Sequence, residues 1–252
     1  MTVVKHEHHG AVDVITINRP DKHNALNAEV RALLFATWRR FEESGQRVAI
    51  LTGAGDRAFS AGADLTEVAA TGMTIPPPGF LPILGDNVKV AKPVIAAVNG
   101  IAFAGGFLMA QMCDLCVASE NATFAITEAK VGRGMPWAVP LTQLIPQRVM
   151  MEILMTGDPI NAQRAQAIGF VNHVVPSAEL LPFTLKLAQK IAANAPLTVA
   201  AAKEMIRLSN ENGQTQALRL AHKVFEKVYQ SDDATEGPRA FAEKRKPVFT
   251  GR

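Results

Sequence analysis

A chain of 252 residues that is 48% hydrophobic and 19% charged is long enough to bury a large core and too apolar to be disordered. Its formal net charge of +3 is mild, and no basic run is interleaved with aromatic residues, so nucleic-acid binding finds no support. The N-terminal residues show no apolar signal segment. We therefore expect a globular cytoplasmic protein that does not bind membranes.

The first third of the chain predicts strands alternating with helices. Residues 11–18 alternate enough to predict a strand, and Asn27 is a candidate N-cap for an amphipathic helix. Residues 48–51 predict a second, buried strand, and residues 59–68 a turn of small residues that leads into a short helix. The proline- and glycine-rich residues 71–82 predict a loop at the rim of a site.

The stretch from Lys92 to Asp114 has the most informative pattern. A buried strand at 94–98 is followed by a turn at Asn99-Gly100 and then by Gly105-Gly106, which begin a helix. Adjacent glycines at a helix start expose backbone N–H groups at the positive end of the helix dipole. Such a place suits an oxygen that becomes negative during a reaction. Close packing explains the same glycines equally well, and the polar interruptions argue against a membrane span.

The remainder of the chain is predominantly helical. Strands at 115–118 and 123–126 are followed by Glu128 and by a loop of sequence VGRGMPWAVP. Beyond it the pattern predicts a short strand at 170–175 and five helices, at 148–156, 162–168, 179–194, 197–208 and 214–229. The sequence Asn194-Ala195-Pro196 interrupts the helical pattern, so we place a boundary near residue 195.

Two clusters of potential metal or redox residues have simpler explanations. Cys113 and Cys116 have the spacing of a redox pair, but they lie in an apolar run where buried thiols are ordinary core residues. His6, His8 and His9 resemble a chelating cluster, yet at the N-terminus they fit the exposed start of a strand. We expect no metal site.

Several ordered segments together resemble the enoyl-CoA hydratase/isomerase family, the crotonases. They are NRPDKHNALN (18–27), FSAGADL (59–65), VNGIAFAGG with the MCD that ends at 114, FAITEAKVG (124–132), MTGDPINAQRAQAIGFVNHVV (155–175) and EGPRAFAEKRKPVF (236–249). The resemblance runs from about Ala11 to Phe249. It implies an α/β fold in which repeated ββα units form a spiral core, here residues 1–195. It also implies a helical oligomerisation region, here residues 196–252, and a homotrimer or a dimer of trimers.

The same resemblance implies a coenzyme A thioester as the substrate, with no separate cofactor. Carried over by motif, the backbone N–H groups of Ala63 and Gly105 stabilise the enolate oxygen of the thioester. The residues expected along the adenine and pantetheine path are Lys22, Asn24, Ala25, Ala61, Asp64 and Leu65. Trp137 either shapes the acyl pocket or packs in the core, and Arg133 either supplies charge to the site or forms a surface salt bridge.

One position departs from the pattern of the family's hydratases, which carry two catalytic glutamates. Leu108 occupies the position of the first, and Glu128 that of the second. Leucine cannot orient water, so we expect Glu128 to act as the single acid and base. Hydration or dehydration of an enoyl-CoA is the first hypothesis. The alternatives are a Δ3–Δ2 enoyl-CoA isomerase, a non-catalytic acyl-CoA-binding protein and a serine peptidase that uses Ser60.

Overall fold

The computed structural model describes residues 2–252. The strands are β1 (Val4–His9), β2 (Val12–Ile17), β3 (Val48–Gly53), β4 (Ala58–Ser60), β5 (Val94–Val98), β6 (Ile101–Phe103), β7 (Leu115–Ser119), β8 (Thr123–Ala125), β9 (Ile160–Asn161) and β10 (His173–Val175). The α-helices are α1 (Ala28–Glu43), α2 (Leu65–Thr71), α3 (Gly105–Gln111), α4 (Gln147–Thr156), α5 (Ala162–Ala167), α6 (Leu180–Ala192), α7 (Pro196–Glu211), α8 (Gln214–Tyr229) and α9 (Asp232–Ala242).

The strands form two sheets. In the pairs β3 and β4, β5 and β6, and β7 and β8, the first strand joins the larger sheet and the second joins the smaller one. The larger sheet has the order β1-β2-β3-β5-β7-β10 and is parallel except for the hairpin of β1 and β2. The smaller has the order β4-β6-β8-β9. The chain passes from β3 to β4, from β5 to β6 and from β7 to β8, and it enters a helical segment each time. These are the repeated ββα units that the resemblance implies.

Strand β2 shows how the larger sheet separates two halves of the core. Val12 and Val14 point into a cluster with residues of α6, such as Ala188. Ile15 and Ile17 point to the opposite face and join the cluster that includes Trp38 of α1. Successive side chains of a strand point to opposite faces, and five of the six residues of β2 are buried between the two clusters. Burying each large side chain contributes about 1.5–3 kcal/mol.

The C-terminal segment folds back onto helix α9 through buried carboxylates. Glu236 of α9 accepts hydrogen bonds from Arg245 and from the backbone of Val248, and Arg245 holds the pKa of Glu236 well below its usual range. Asp233 accepts from the N–H of Thr250 at 2.7 Å. Lys203 of α7 pairs with Asp114 at 2.9 Å and so ties the helical region to the sheets. The division at residue 195 stays a prediction.

Three expectations about local structure were wrong. Strands β4, β6 and β9 were not predicted. They have two or three residues each, too few for a period to be visible in the sequence. The predicted loop after Glu128 contains a 3₁₀-helix at Pro136–Gln143, in which Pro136 stands at the first position. Helix α9 was missed because Pro238 lies inside it.

Two further findings concern membranes and metals. None of the helices within residues 2–252 combines the length and the apolar composition that crossing a bilayer requires. In the same part of the chain, no three His, Cys, Asp or Glu side chains are grouped so that they would hold a metal ion. His6 and His8 lie on β1 at 3.5 and 3.4 Å from the carboxylate of Asp13.

Candidate active site

A cavity of about 760 Å³ lies among α2, the segment 73–87, the start of α3 and the segment 127–137. Its lining is mostly apolar and includes seven residues predicted for the site: Ala61, Ala63, Leu65, Gly105, Leu108, Glu128 and Trp137. The sheets bring these residues together because β4, β6 and β8 end side by side in the smaller sheet. The volume lies in the usual range for a small-molecule site.

Glycines allow the segment after β4 to approach the start of α3. Gly62 has a φ of 88°, and a Cβ on it would lie 2.7 Å from the nitrogen of Gly105. A Cβ on Gly105 would lie 3.5 Å from the nitrogen of Ala63, so these two backbone amides are neighbours. Gly105 is the first residue of α3, and its N–H therefore has no acceptor within the helix. The two amides are placed at the wall of the cavity.

The residue before α3 has a strained backbone. Ala104 has a φ of 50° and a ψ of −119°, a conformation that a residue with a side chain rarely adopts. Its N–H donates to the carbonyl oxygen of Ala125 in β8 at 2.9 Å. Strain of this kind is concentrated at functional sites. Here it turns the chain from β6 into α3, whose first residue, Gly105, lines the cavity.

Four residues predicted for the coenzyme A path do not line the cavity: Lys22, Asn24, Ala25 and Asp64. Lys22 is exposed on the loop before α1, and Ala25 is nearly buried. Asn24 is fully buried, and its amide nitrogen donates to the carbonyl oxygens of Ala54 and Ala58 at 3.0 and 2.7 Å. Asn24 thus fixes the loop, and the place of this loop along the coenzyme A path stays a prediction.

The side chains of Asp64 and Ser60 also stabilise the local fold. Asp64 caps the N-terminus of α2 and pairs with Arg19 at 3.0 Å. The hydroxyl of Ser60 is fully buried and donates to the backbone oxygen of Asn24 at 2.9 Å. A buried serine whose proton is held by a backbone oxygen is no nucleophile. The peptidase alternative is therefore dropped.

Glu128 is the buried acid of the cavity. It lies in a 3₁₀-helix, Thr127–Val131, and is only 6% exposed. Burial raises the pKa of this carboxyl, while hydrogen bonds from its own backbone N–H and from the Trp137 side chain lower it in part. Its second oxygen, Oε2, is buried and has no hydrogen-bond partner among residues 2–252. A buried acceptor without a partner is costly, so its presence needs an explanation, and a catalytic role is one such explanation.

The residues around Glu128 clarify three sequence predictions. Leu108, on α3, gives the cavity an apolar wall. Trp137 lines the cavity and also packs on Phe107, with ring centroids 6.4 Å apart. Its role in shaping an acyl pocket stays a prediction. Arg133 lines the cavity, but its guanidinium donates to the backbone oxygen of Met73 at 3.0 Å. Arg133 therefore fixes the segment at Met73, on the rim of the cavity, and it forms no salt bridge among residues 2–252.

A second arginine, which sequence reasoning missed, holds the other side of the rim. Arg31 of α1 lies 4.1 Å from the ring centre of Phe80, which lines the cavity. The same guanidinium pairs with Glu67 of α2 at 2.7 Å. The segment between Met73 and Phe80 is thus held at both ends by arginines from different elements. In sequence these arginines look like ordinary surface charges.

The cysteines belong to the core, as predicted. Burial raises the pKa of the Cys116 thiol to about 12 and that of Cys113 well above its usual range. Neither thiol forms the reactive thiolate near neutral pH, because only a lowered pKa would favour it.

Comparison with known proteins agrees with this architecture. The family model described as enoyl-CoA hydratase/isomerase matches residues 7–252. Carnitinyl-CoA dehydratase from Escherichia coli K12 is 41% identical over 253 residues, which cover 96% of each chain. The solved structure of an enoyl-CoA hydratase from Mycobacterium marinum has a TM-score of 0.92 at 38% identity, and one from Mycobacterium tuberculosis H37Rv has 0.92 at 37%. Both comparisons cover 100% of each chain.

The chain therefore belongs to the enoyl-CoA hydratase/isomerase family. The predicted crotonase-type fold, the family and the hydratase-type lyase class are confirmed. The individual site residues were predicted by motif and stay predictions.

Proposed function

We propose that this protein adds water to, or removes it from, the acyl group of an acyl-CoA thioester, with Glu128 as the only catalytic carboxylate. The observation that carries the proposal is the position of Glu128. It is a buried acid with one unpartnered oxygen, in the wall of the same cavity that Ala63 and Gly105 line. Family membership supplies the class of substrate.

The thioester carbonyl oxygen would lie between the N–H groups of Ala63 and Gly105. Both amides come from segments fixed by close packing: a Cβ on the neighbouring Gly106 would collide with the carbonyl of Ser60. Fixed donors stabilise an oxyanion without reorganising during the reaction. Negative charge that develops on the thioester oxygen in the enolate is therefore favoured here.

Glu128 would carry the proton between water and carbon. In the hydration direction its carboxylate accepts a proton from water as the oxygen attacks the β-carbon, and it then delivers that proton to the α-carbon. Dehydration reverses these steps. Burial raises the pKa of Glu128 toward the range useful for an acid and base near neutral pH. One carboxylate serves both transfers because Leu108 supplies no second one.

The relatives named carnitinyl-CoA dehydratase favour a reaction of the same type. The acyl group itself is a separate question. The lining of this cavity combines apolar side chains such as Ile83 and Leu108 with the carboxylate of Asp86, so carnitinyl-CoA belongs in any substrate panel beside uncharged acyl groups.

The apolar wall at Leu108 favours a second candidate, Δ3–Δ2 enoyl-CoA isomerisation. That reaction moves one proton between two carbons and needs no bound water, so a single carboxylate beside apolar side chains suffices. A third candidate is a non-catalytic acyl-CoA-binding protein, in which the replacement by Leu108 has removed the chemistry.

A panel of acyl-CoA thioesters followed at the absorbance of the conjugated thioester tests all three candidates. We expect loss of absorbance with 2-enoyl-CoA and a rise with 3-hydroxyacyl-CoA, carnitinyl-CoA included. A rise with 3-enoyl-CoA alone identifies an isomerase. Absence of turnover with an acyl-CoA-dependent rise in Tm identifies a binding protein, because a ligand that binds the native state stabilises it.

Coenzyme A is part of the substrate in this proposal, and no separate cofactor takes part. We also propose that the protein is a homotrimer or a dimer of trimers. Support comes from the C-terminal helices, which expose large apolar side chains that an interface would bury: Ile206, Leu218, Tyr229 and Phe241. Light scattering of the purified protein would contradict this assembly if it gave a monomer.

A further inference from the structure

Residues 73–81, here called the strap, cross the cavity from the segment that carries Glu128 to the start of α3. At one end the backbone oxygen of Met73 accepts a hydrogen bond from the Arg133 guanidinium at 3.0 Å, and the N–H of Arg133 donates to the backbone oxygen of Glu128 at 3.0 Å. At the other end a Cβ on Gly105 would lie 3.3 Å from Cδ1 of Leu81. Most residues of the strap line the cavity.

The backbone of the strap does little to fix its position. The strap contains no helix or strand, and its three consecutive prolines at 76–78 have no N–H to donate. Among residues 2–252, its backbone groups have three hydrogen-bond partners: Pro77 within the strap, and the side chains of Arg133 and Asn87. Gly72 and Gly79 have φ of 62° and 74°, and a Cβ on either would meet no atom within 4 Å. The strap can therefore move without breaking a helix or a sheet.

Arg31 fixes the one aromatic ring of the strap. Its guanidinium carbon lies 4.1 Å from the centre of the Phe80 ring, well within the range of a cation–π interaction. The same group donates to the backbone oxygen of Leu26 at 2.8 Å and to the carboxylate of Glu67 at 2.7 Å. The Arg31 side chain is only 14% exposed, and partial removal from water strengthens a cation–π contact. Arg31 thus connects the strap to α1 and α2.

We propose that Arg31 is a positioning residue that limits the size of the acyl group: it holds Phe80, and with it the strap, against the bound acyl chain. Phe80 lines the cavity, whereas Arg31 does not, so Arg31 acts through the ring. The proposal rests on the proposed function, because it requires an acyl-CoA in this cavity. Without Arg31 the ring is free to move outward, and the cavity then accepts longer chains.

Arg31→Met tests the proposal because methionine keeps an apolar stem and removes the cation. Calorimetry gives the Kd of hexanoyl-CoA and of dodecanoyl-CoA for each protein. We expect the ratio of the two affinities to shift by about 3–10-fold toward dodecanoyl-CoA, the usual size of a cation–π effect. A loss of stability alone would weaken both ligands alike. Arg39→Met is the matched control, because Arg39 is exposed on the same helix and should leave the ratio unchanged.

A double-mutant cycle tests whether Arg31 acts through Phe80. Phe80→Leu should shift the ratio in the same direction, and adding Arg31→Met to it should change the ratio no further. Additive shifts would overturn the proposal, because Arg31 would then act by another route. If Arg31→Met fails to fold, Arg31→Lys takes its place in the cycle, since a compact ammonium keeps the charge but stacks poorly on a ring.

Hydrogen exchange follows the strap without any ligand. The N–H of Phe80 donates to the backbone oxygen of Pro77 at 3.0 Å, and we expect it to exchange faster in Arg31→Met than in the wild type or in Arg39→Met. A wild-type affinity ratio in the folded Arg31 variant would overturn the proposal whatever the exchange rate. A wild type that binds these thioesters but turns over no 2-enoyl-CoA or 3-hydroxyacyl-CoA would instead overturn the proposed function.

Discussion

Replacing Glu128 by glutamine is expected to lower kcat by about 10²–10⁴-fold while acyl-CoA binding persists. Glutamine keeps the shape of the side chain but cannot accept the proton that the reaction moves. Steady-state turnover of the wild type and the variant, together with titration of an acyl-CoA by calorimetry, gives both quantities. Glu120→Gln is the matched control, because Glu120 is an exposed carboxylate at the end of β7 and should leave turnover unchanged.

Glu128→Gln should lower kcat but raise the thermal stability of the protein at alkaline pH. The folded state raises the pKa of Glu128 above 4.5, its ordinary value. A raised carboxyl pKa contributes stability below pH 4.5, and that contribution is lost as the pH rises through the folded pKa. Above the folded pKa the wild type therefore carries a buried charge that Glu128→Gln lacks. We expect the variant to have the higher Tm at pH 8, and the difference to disappear near pH 4.

Replacing Gly105 by proline is expected to lower kcat by about 10²–10³-fold, the usual effect of losing one oxyanion donor. Proline removes the N–H itself. Proline is accepted at the first position of a helix, but it restricts the residue before it, and Ala104 already has a strained backbone. Circular dichroism would confirm a native-like protein before kcat is measured.

Gly105→Ala is the matched control for this prediction. Alanine keeps the N–H, and its Cβ would lie 3.3 Å from the Cα of Gly62 and from Leu81, which is close but not a collision. We therefore expect a smaller loss in Gly105→Ala than in Gly105→Pro. Equal losses would assign the role of Gly105 to close packing, and a folded Gly105→Pro with wild-type turnover would remove it from the mechanism.

The parts of the fold that follow a period could be predicted from the sequence. Asn27 was predicted as an N-cap, and its side chain accepts from the N–H of Val30 at 3.1 Å. Helix α8 has the predicted bounds, because its apolar positions repeat with helical spacing. The strands β4 and β6, which form the smaller sheet beside the site, are too short for such a pattern.

The candidate site was predictable where a motif specifies a backbone position or a residue type. Ala63, Gly105, Leu108 and Glu128 all line the cavity. Contacts between side chains were not predictable. Trp137 reaches the cavity from a 3₁₀-helix that has no visible period, and nothing in the local sequence shows that Arg133 binds the backbone of Met73. Asn24 belongs to a matching motif, yet only the folded loop shows that its amide is already used.

In the mechanism proposed here, Glu128 alone moves a proton at the α-carbon of an enolate held by Ala63 and Gly105. Its most direct test is the reaction of 2-enoyl-CoA in D₂O, followed by NMR of the product. We predict a 3-hydroxyacyl-CoA with one deuterium at the α-carbon, formed by the wild type and not by Glu128→Gln. Deuterium incorporation that continues at the wild-type rate in Glu128→Gln would contradict the claim.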